Sequence, residues 1–144
     1  MPYPEEFVTP MREDLTIAGF EELKSADEVN AAFENKEGTA LVVVNSVCGC
    51  AAAMARPGVK MSLTGEHKPD RLLTVFAGQD LDATAEARKH MFPYPPSSPS
   101  IALYKDGKLV HFIERHHIEG RPAQMIAANL QAAYNEYCAQ PVNG

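Results

Sequence analysis

Residues Ala40-Leu41-Val42-Val43-Val44 form an unbroken apolar run rich in β-branched side chains. Strict alternation would mark a strand with one wet face. A continuous run suits a strand buried on both faces, as in a parallel sheet covered by helices. Leu72-Leu73-Thr74-Val75-Phe76 repeats the signal. Helical patterns surround both runs. Thr9 as N-cap and Pro10 at the first helical position predict an N-terminal helix running towards Gly19, followed by a short extended piece over Phe20–Leu23. Ser25-Ala26-Asp27-Glu28 has the form of a capping box and opens a helix through Val29, Ala32 and Phe33 that stops before Gly38. Ala51 to Arg56 is a strong helix-forming stretch, which Pro57-Gly58 is expected to kink or end. Asp82 opens a further helix through His90, halted by Pro93, Pro95 and Pro96.

Ser100–Lys105 and Lys108–Ile113 flank Asp106-Gly107. This is the residue pair that type I′ hairpin turns prefer, because both positions take positive φ. An amphipathic helix over Pro122–Cys138 closes the chain, with Met125, Ile126, Leu130, Ala133 and Tyr137 on its apolar stripe. After the N-terminal helix the order is β-α-β-α-β-α-β-β-α. Alternating strands and helices demand a mainly parallel sheet with helices on both faces, and the hairpin adds antiparallel strands at one edge. The expected fold is therefore α/β with a central mixed sheet, the connectivity of the thioredoxin fold, plus an extra N-terminal helix.

A length of 144 residues predicts one domain spanning 1–144. With 45% apolar residues, a core forms without disulfide or metal staples. The net charge of −6 excludes a protein held on nucleic acid by neutralising phosphates. No stretch approaches the roughly 18 apolar residues of a membrane span. The opening Met-Pro-Tyr-Pro-Glu-Glu has neither the basic nor the apolar part of a secretory signal. The expectation is a cytoplasmic chain that meets neither membrane nor nucleic acid. Its three cysteines are an odd number, two of them separated by one residue. Disulfide frameworks use even counts and belong mainly to secreted domains, so attention falls on Cys48 and Cys50.

Both lie where the buried strand ends and the Ala-rich helix begins. Chemistry in open α/β sheets collects at the carboxyl ends of parallel strands. A helix N-terminus adds unpaired N–H donors and about half a positive charge. These stabilise a thiolate, the attacking species in disulfide exchange, so Cys48 is expected to have a depressed pKa and to act as nucleophile. Cys50, inside the first turn, is expected to be more shielded and to resolve. Gly49 allows the backbone geometry of a tight Cys48–Cys50 loop. Such a loop is strained, and strained disulfides are more oxidising. The pair is then a poor general reductant, better suited to taking apart mixed disulfides or reshuffling bonds. Two other readings stay open: both cysteines as small buried hydrophobes, or a metal module in which His116 and His117 complete the ligands.

Pro99, within Ser98-Pro99-Ser100, stands at the start of the first hairpin strand, where a proline fits. The hairpin returns the chain towards Cys48, so the segment Arg115–Gly120 is expected near it. There His116 and His117 either donate protons or bind a carboxylate of a small thiol, or they are solvated loop residues. Cys138 has no sequence partner and is expected to pack or to be solvated. Met54, Met61, Phe92 and Tyr94 read as core or rim positions, not cofactor contacts.

Val43 to Ala52, with Ala55-Arg56-Pro57, closely resembles the bacilliredoxin family. So do Phe92 to Leu103 and Glu114 to Gly120. The resemblance extends from Pro10 to Cys138. It implies a thioredoxin fold with a redox-active Cys-Gly-Cys motif, and a proline at Pro99 that is cis and faces the cysteines. It also implies a thiol–disulfide oxidoreductase that needs no cofactor and takes bacillithiol or a similar low-molecular-weight thiol as co-substrate. Its partners would be S-thiolated client proteins, and the chain itself a monomer or weak dimer. Cys48 would take the small thiol, and either Cys50 or a second low-molecular-weight thiol would expel it; a disulfide isomerase activity is the alternative. The sequence departs from the family at Ala53-Met54, where small polar residues are expected.

Overall fold

The computed structural model describes residues 2–139. At its centre is β2 (Thr39–Asn45), in which all seven residues are buried. β3 (Arg71–Phe76) runs parallel to β2 on one side, and β1 (Glu21–Glu22) runs parallel to β3 beyond it. On the other side β4 (Ser100–Lys105) runs antiparallel to β2, and β5 (Lys108–Ile113) runs antiparallel to β4. The sheet order is β1-β3-β2-β4-β5. The unbroken apolar run has the environment it requires, since Val42 pairs with Leu73 on one side and Ala102 on the other.

Helices cover both faces. Leu41 and Val43 of β2 meet Leu15 of α1 (Glu5–Thr16), Val59 of α3 (Arg56–Ser62), and Ile126, Leu130 and Tyr134 of α6 (Ala123–Tyr137). Val42 and Val44 face the opposite way, onto Val29 of α2 (Ala26–Glu34) and Ala83 and Ala87 of α4 (Leu81–Lys89). Ser25 caps α2 as expected, its hydroxyl accepting the Glu28 N–H at 3.1 Å, but the return bond of a capping box is displaced: the Glu28 carboxylate accepts the N–H of Lys24, one residue before the cap, at 2.9 Å. In the hairpin turn Asp106 and Gly107 have φ of 51° and 83°, as the Asp-Gly pair predicts.

Four local expectations change. α1 starts at Glu5, so Pro10 lies inside the helix instead of opening it. Its side chain Arg12 is buried and reaches Glu5 at 2.7 Å, Glu22 at 3.0 Å and Asp80 at 2.7 Å. That ion cluster holds the first turn helical despite the ladder bond Pro10 loses. Pro57-Gly58 does not end its helix. Ala51–Ala55 form a π-helical turn in which the Arg56 N–H bonds the Ala51 carbonyl, five residues back. The register thus shifts at the one residue that has no N–H to give, and α3 continues through Pro57. Gly58 lies inside α3 because a Cβ there would stand 2.8 Å from Ile126 of α6. The segment after β5 is a short helix, α5 (Arg115–Ile118), not a loop. On α6 the buried stripe is Ile126, Ala127, Leu130, Ala133 and Tyr134, while Met125 is exposed. Tyr134 rather than Tyr137 turns inward because its hydroxyl meets Ser62 at 3.0 Å beneath α3.

Candidate active site

The chain leaves β2 through Ser46 and Val47 and becomes helical at Gly49. Cys48 therefore stands just before the helix, and its carbonyl accepts the N–H groups of Ala51 at 3.1 Å and Ala52 at 3.2 Å. The Ser46 hydroxyl accepts the Cys48 N–H at 3.2 Å, a local turn that sets the loop. Behind the loop, Asn45 Oδ1 accepts the Ser46 N–H and Arg56 Nη1, both at 2.9 Å. Asn45 Nδ2 donates to the Met11 carbonyl at 3.1 Å. Arg56 Nη1 also donates to the Ser46 carbonyl at 2.9 Å, and its Nε to Asp14 at 3.2 Å. Lys60 pairs with the same carboxylate. Burial works to raise the Asp14 pKa, but Lys60 and Arg56 together hold it below the ordinary value. The buried Arg56 charge is thus matched, as an interior cation requires.

Burial also works to raise the Cys48 pKa. Against it act the Ser46 hydroxyl, the N–H groups of Ala51 and Cys50, and the Arg115 guanidinium, and the net result lies below the ordinary thiol value. The thiolate is favoured by four separate donors of positive potential, of which the helix terminus supplies two. Both cysteines are half-buried free thiols, so accessibility alone does not separate them. They differ in surroundings: Cys50 packs against the apolar cluster of α3 and α6, whereas Cys48 lines an open cleft. Gly49 is exposed, its φ is outside the left-handed region, and an added Cβ would meet nothing within 4 Å. The backbone with free thiols does not itself demand glycine there.

The Ser98–Pro99 bond is cis. Pro99 is buried, and Ser98 lines the cleft beside Cys48. From the segment in which the sequence points to His116 and His117, the residue that lines this cleft is Arg115. His117 Nδ1 instead accepts the Glu114 N–H at 3.3 Å as part of the α5 capping box, and its side chain lines a groove with β5 and α6. His116 is exposed, 3.9 Å from Glu114. Among the described residues the side chains close enough to share a cation are Glu114, His116 and His117, a group that includes neither cysteine. Met54 packs against the core, Phe92 is exposed, and Tyr94 stacks on Phe112 at 4.5 Å.

Sequence reasoning missed Ser46, Arg56, Arg88 and Arg115. Ser46 carried a usable signal, a hydroxyl two residues before the cysteine. Arg115 lay beside the histidines that drew attention from it. Arg56 and Arg88 carried no local signal, since their partners come from other elements.

A family described as disulphide isomerase matches residues 3–138. A bacilliredoxin of Cytophaga hutchinsonii is 57% identical over 134 residues, covering 93% of this chain and 98% of that protein. One from Bacillus cereus is 51% identical over 137 residues, covering 94% and 95%. Among solved structures, a Halobacterium salinarum thioredoxin variant superposes with a TM-score of 0.58 at 14% identity, over 87% of this chain and 96% of that one. Chlamydomonas reinhardtii thioredoxin f2 gives 0.55 at 18% identity, over 82% and 95%. At such identities the thioredoxin likeness speaks for the fold, and the closer relatives speak for the chemistry. The chain is a thiol–disulfide oxidoreductase of thioredoxin fold and belongs to the bacilliredoxin family.

Proposed function

We propose that the protein removes a low-molecular-weight thiol, bacillithiol or a close equivalent, from mixed disulfides on client proteins. The observation that carries this reading is the set of donors around Cys48, which favours thiolate on a half-buried sulfur that opens onto a cleft. Cys48 attacks the sulfur of the small thiol, a new disulfide forms, and the client leaves as thiolate. Cys50, next to Gly49 and the first helical turn, then attacks Cys48 and releases the small thiol. The client bond has then gained two electrons, and the Cys48–Cys50 pair has lost them. Two equivalents of an external thiol restore the pair, the first forming a mixed disulfide and the second displacing it, and they leave as their own disulfide. Gly49 serves this second step, because it lets the two sulfurs close a ring across one residue. Ser98 and the buried Pro99 flank the bound disulfide; His116 and His117 are proposed only as outer proton exchangers.

Intact-mass measurement after mixing reduced protein with an S-bacillithiolated client tests the reading. One added thiol on Cys48, trapped in Cys50→Ala and missing in Cys48→Ala, is the expected result. No transfer from a Cys48 that still alkylates would overturn it. The description of the matching family as disulphide isomerase favours a second reading, reshuffling of misbridged proteins. Recovery of a scrambled test enzyme above the level given by free small thiol would support that reading, and recovery no better than that level would remove it.

A further inference from the structure

The cleft beside Cys48 measures about 320 Å³ and lies between the Ser46–Cys48 loop, the turn after β3 and the Ser98–Arg115 junction. Among the described residues two arginines line it, and no carboxylate does. Elsewhere the buried Arg12 meets three carboxylates and the buried Arg56 meets Asp14, while the half-buried Arg71, whose Nε is also without a partner, donates to the Ala32 and Asn35 carbonyls at 2.8 and 2.7 Å. The cleft arginines are treated differently. Arg88 is half-buried, its Nε has no partner, and its Nη2 makes only a 3.5 Å contact with the Ser97 carbonyl. Among the described residues no carboxylate lies within ion-pair distance of it. Arg115 bonds the exposed Glu119 through Nε at 2.9 Å and the Ser98 carbonyl through Nη1 at 3.3 Å. Tyr3, fixed by two hydrogen bonds between its backbone and Gln79, forms the opposite wall.

An under-paired guanidinium in the cleft that Cys48 also lines asks for an anion, and a carboxylate matches its fork of donors in bidentate fashion. The volume suits a small molecule, not a length of polypeptide. We infer that the Arg88–Arg115 cleft is the binding site for a carboxylate on the low-molecular-weight thiol that exchanges with Cys48. The assignment rests on the mixed-disulfide reading of Cys48. It adds the feature of the thiol that the protein selects: negative charge a few bonds from the sulfur, held so that it does not repel the attacking thiolate.

The test uses the full chain with Cys50→Ser and Cys138→Ser, so that Cys48 alone reports. Its rate is measured with two chromogenic disulfides, the anionic dithiobis-nitrobenzoate and the neutral dithiodipyridine. A change in the Cys48 pKa affects both rates and cancels in their ratio. Arg88→Gln and Arg115→Gln should each lower the anionic-to-neutral ratio by about tenfold, the scale of one lost charge-assisted contact. Raising salt should lower it in the parent and leave it unchanged in the double variant. A ratio that both variants hold within twofold overturns the inference, and so does a parent ratio indifferent to salt, which needs no variant to fold. If Cys48 reacts with neither disulfide, the proposed function falls first and the cleft assignment with it. Two peptide disulfides then separate the sources of negative charge. Arginine dependence with glutathione on a neutral peptide supports the small thiol; dependence only with an acidic peptide carrying mercaptoethanol overturns it in favour of client recognition.

Discussion

At the carboxyl end of β2, Cys48 meets a serine hydroxyl, two helix-terminal N–H groups and a guanidinium, and its thiol ionises more readily than usual. Near the amino end of the same strand, Cys138 is half-buried beside Thr39, with Asp70 close by. Burial raises its pKa and Asp70 adds to the effect, while Thr39 and Lys105 only partly offset them. The same element thus carries a thiolate-favouring site at one end and a thiol-favouring site at the other. Strand direction accounts for much of this. A helix that follows a parallel strand turns its N–H groups back towards the strand's carboxyl end. The opposite end receives no such donors, and here it receives a carboxylate.

The sharpest way to break the comparison is to delete each sulfur. Cys48→Ala should reduce de-thiolation of a client by about 10³-fold or more, as expected for a lost nucleophile. Cys138→Ala should leave it within about twofold, the scale of a group outside the reaction. Comparable losses from both would end the asymmetry. Next in size is iodoacetamide labelling of the reduced protein at neutral pH, followed site by site by mass spectrometry. Cys48 should react about a hundredfold faster than Cys138, since rate follows thiolate fraction and access. Ser46→Ala should then narrow that gap several-fold and move the midpoint of the Cys48 rate–pH curve upward, because one donor to the sulfur is gone.

Stability against pH sharpens the contrast further. The folded Cys48 pKa lies below that of the unfolded thiol, about 8.5. Its thiolate therefore contributes stability that is complete above that pH and is lost as pH falls through the folded value. Cys138 has the opposite sign: its contribution is complete below the unfolded pKa and is lost as pH rises through the raised folded value. The stability lost on each alanine substitution, measured by denaturant unfolding of parent and variant at neutral and alkaline pH, should show these opposite slopes. The smallest expected effect is at Gly49. Gly49→Ala should change the stability of the reduced protein by no more than about 0.5 kcal/mol, because the new methyl meets open space.

Features written in contiguous residues were readable in advance. The Ala40–Val44 run, the Ser25 N-cap and the Asp106-Gly107 turn each carry their whole signal within a few positions. So does the placement of Cys48 at a strand-to-helix junction. Features that depend on distant partners were not. α1 begins at Glu5 because Arg12 gathers carboxylates ten and sixty-eight residues away. The helix after Cys50 survives Pro57 through a π-helical turn that no propensity scale describes. The cleft arginines come from α4 and α5, so only the folded chain brings them to one sulfur. The histidines had the more familiar chemistry, but the neighbouring Arg115 reaches the cleft.

The Arg56–Asn45–Ser46 clamp grips the active loop entirely from behind, through bonds in which neither sulfur takes part. Disulfide exchange at Cys48 therefore takes place on a loop whose anchoring does not depend on which bond the sulfur makes. Sequence changes at Asn45 and Arg56, which lie outside the cleft lining, should therefore act on the placement of the loop, whereas changes at Arg88 and Arg115 should act on what the cleft admits.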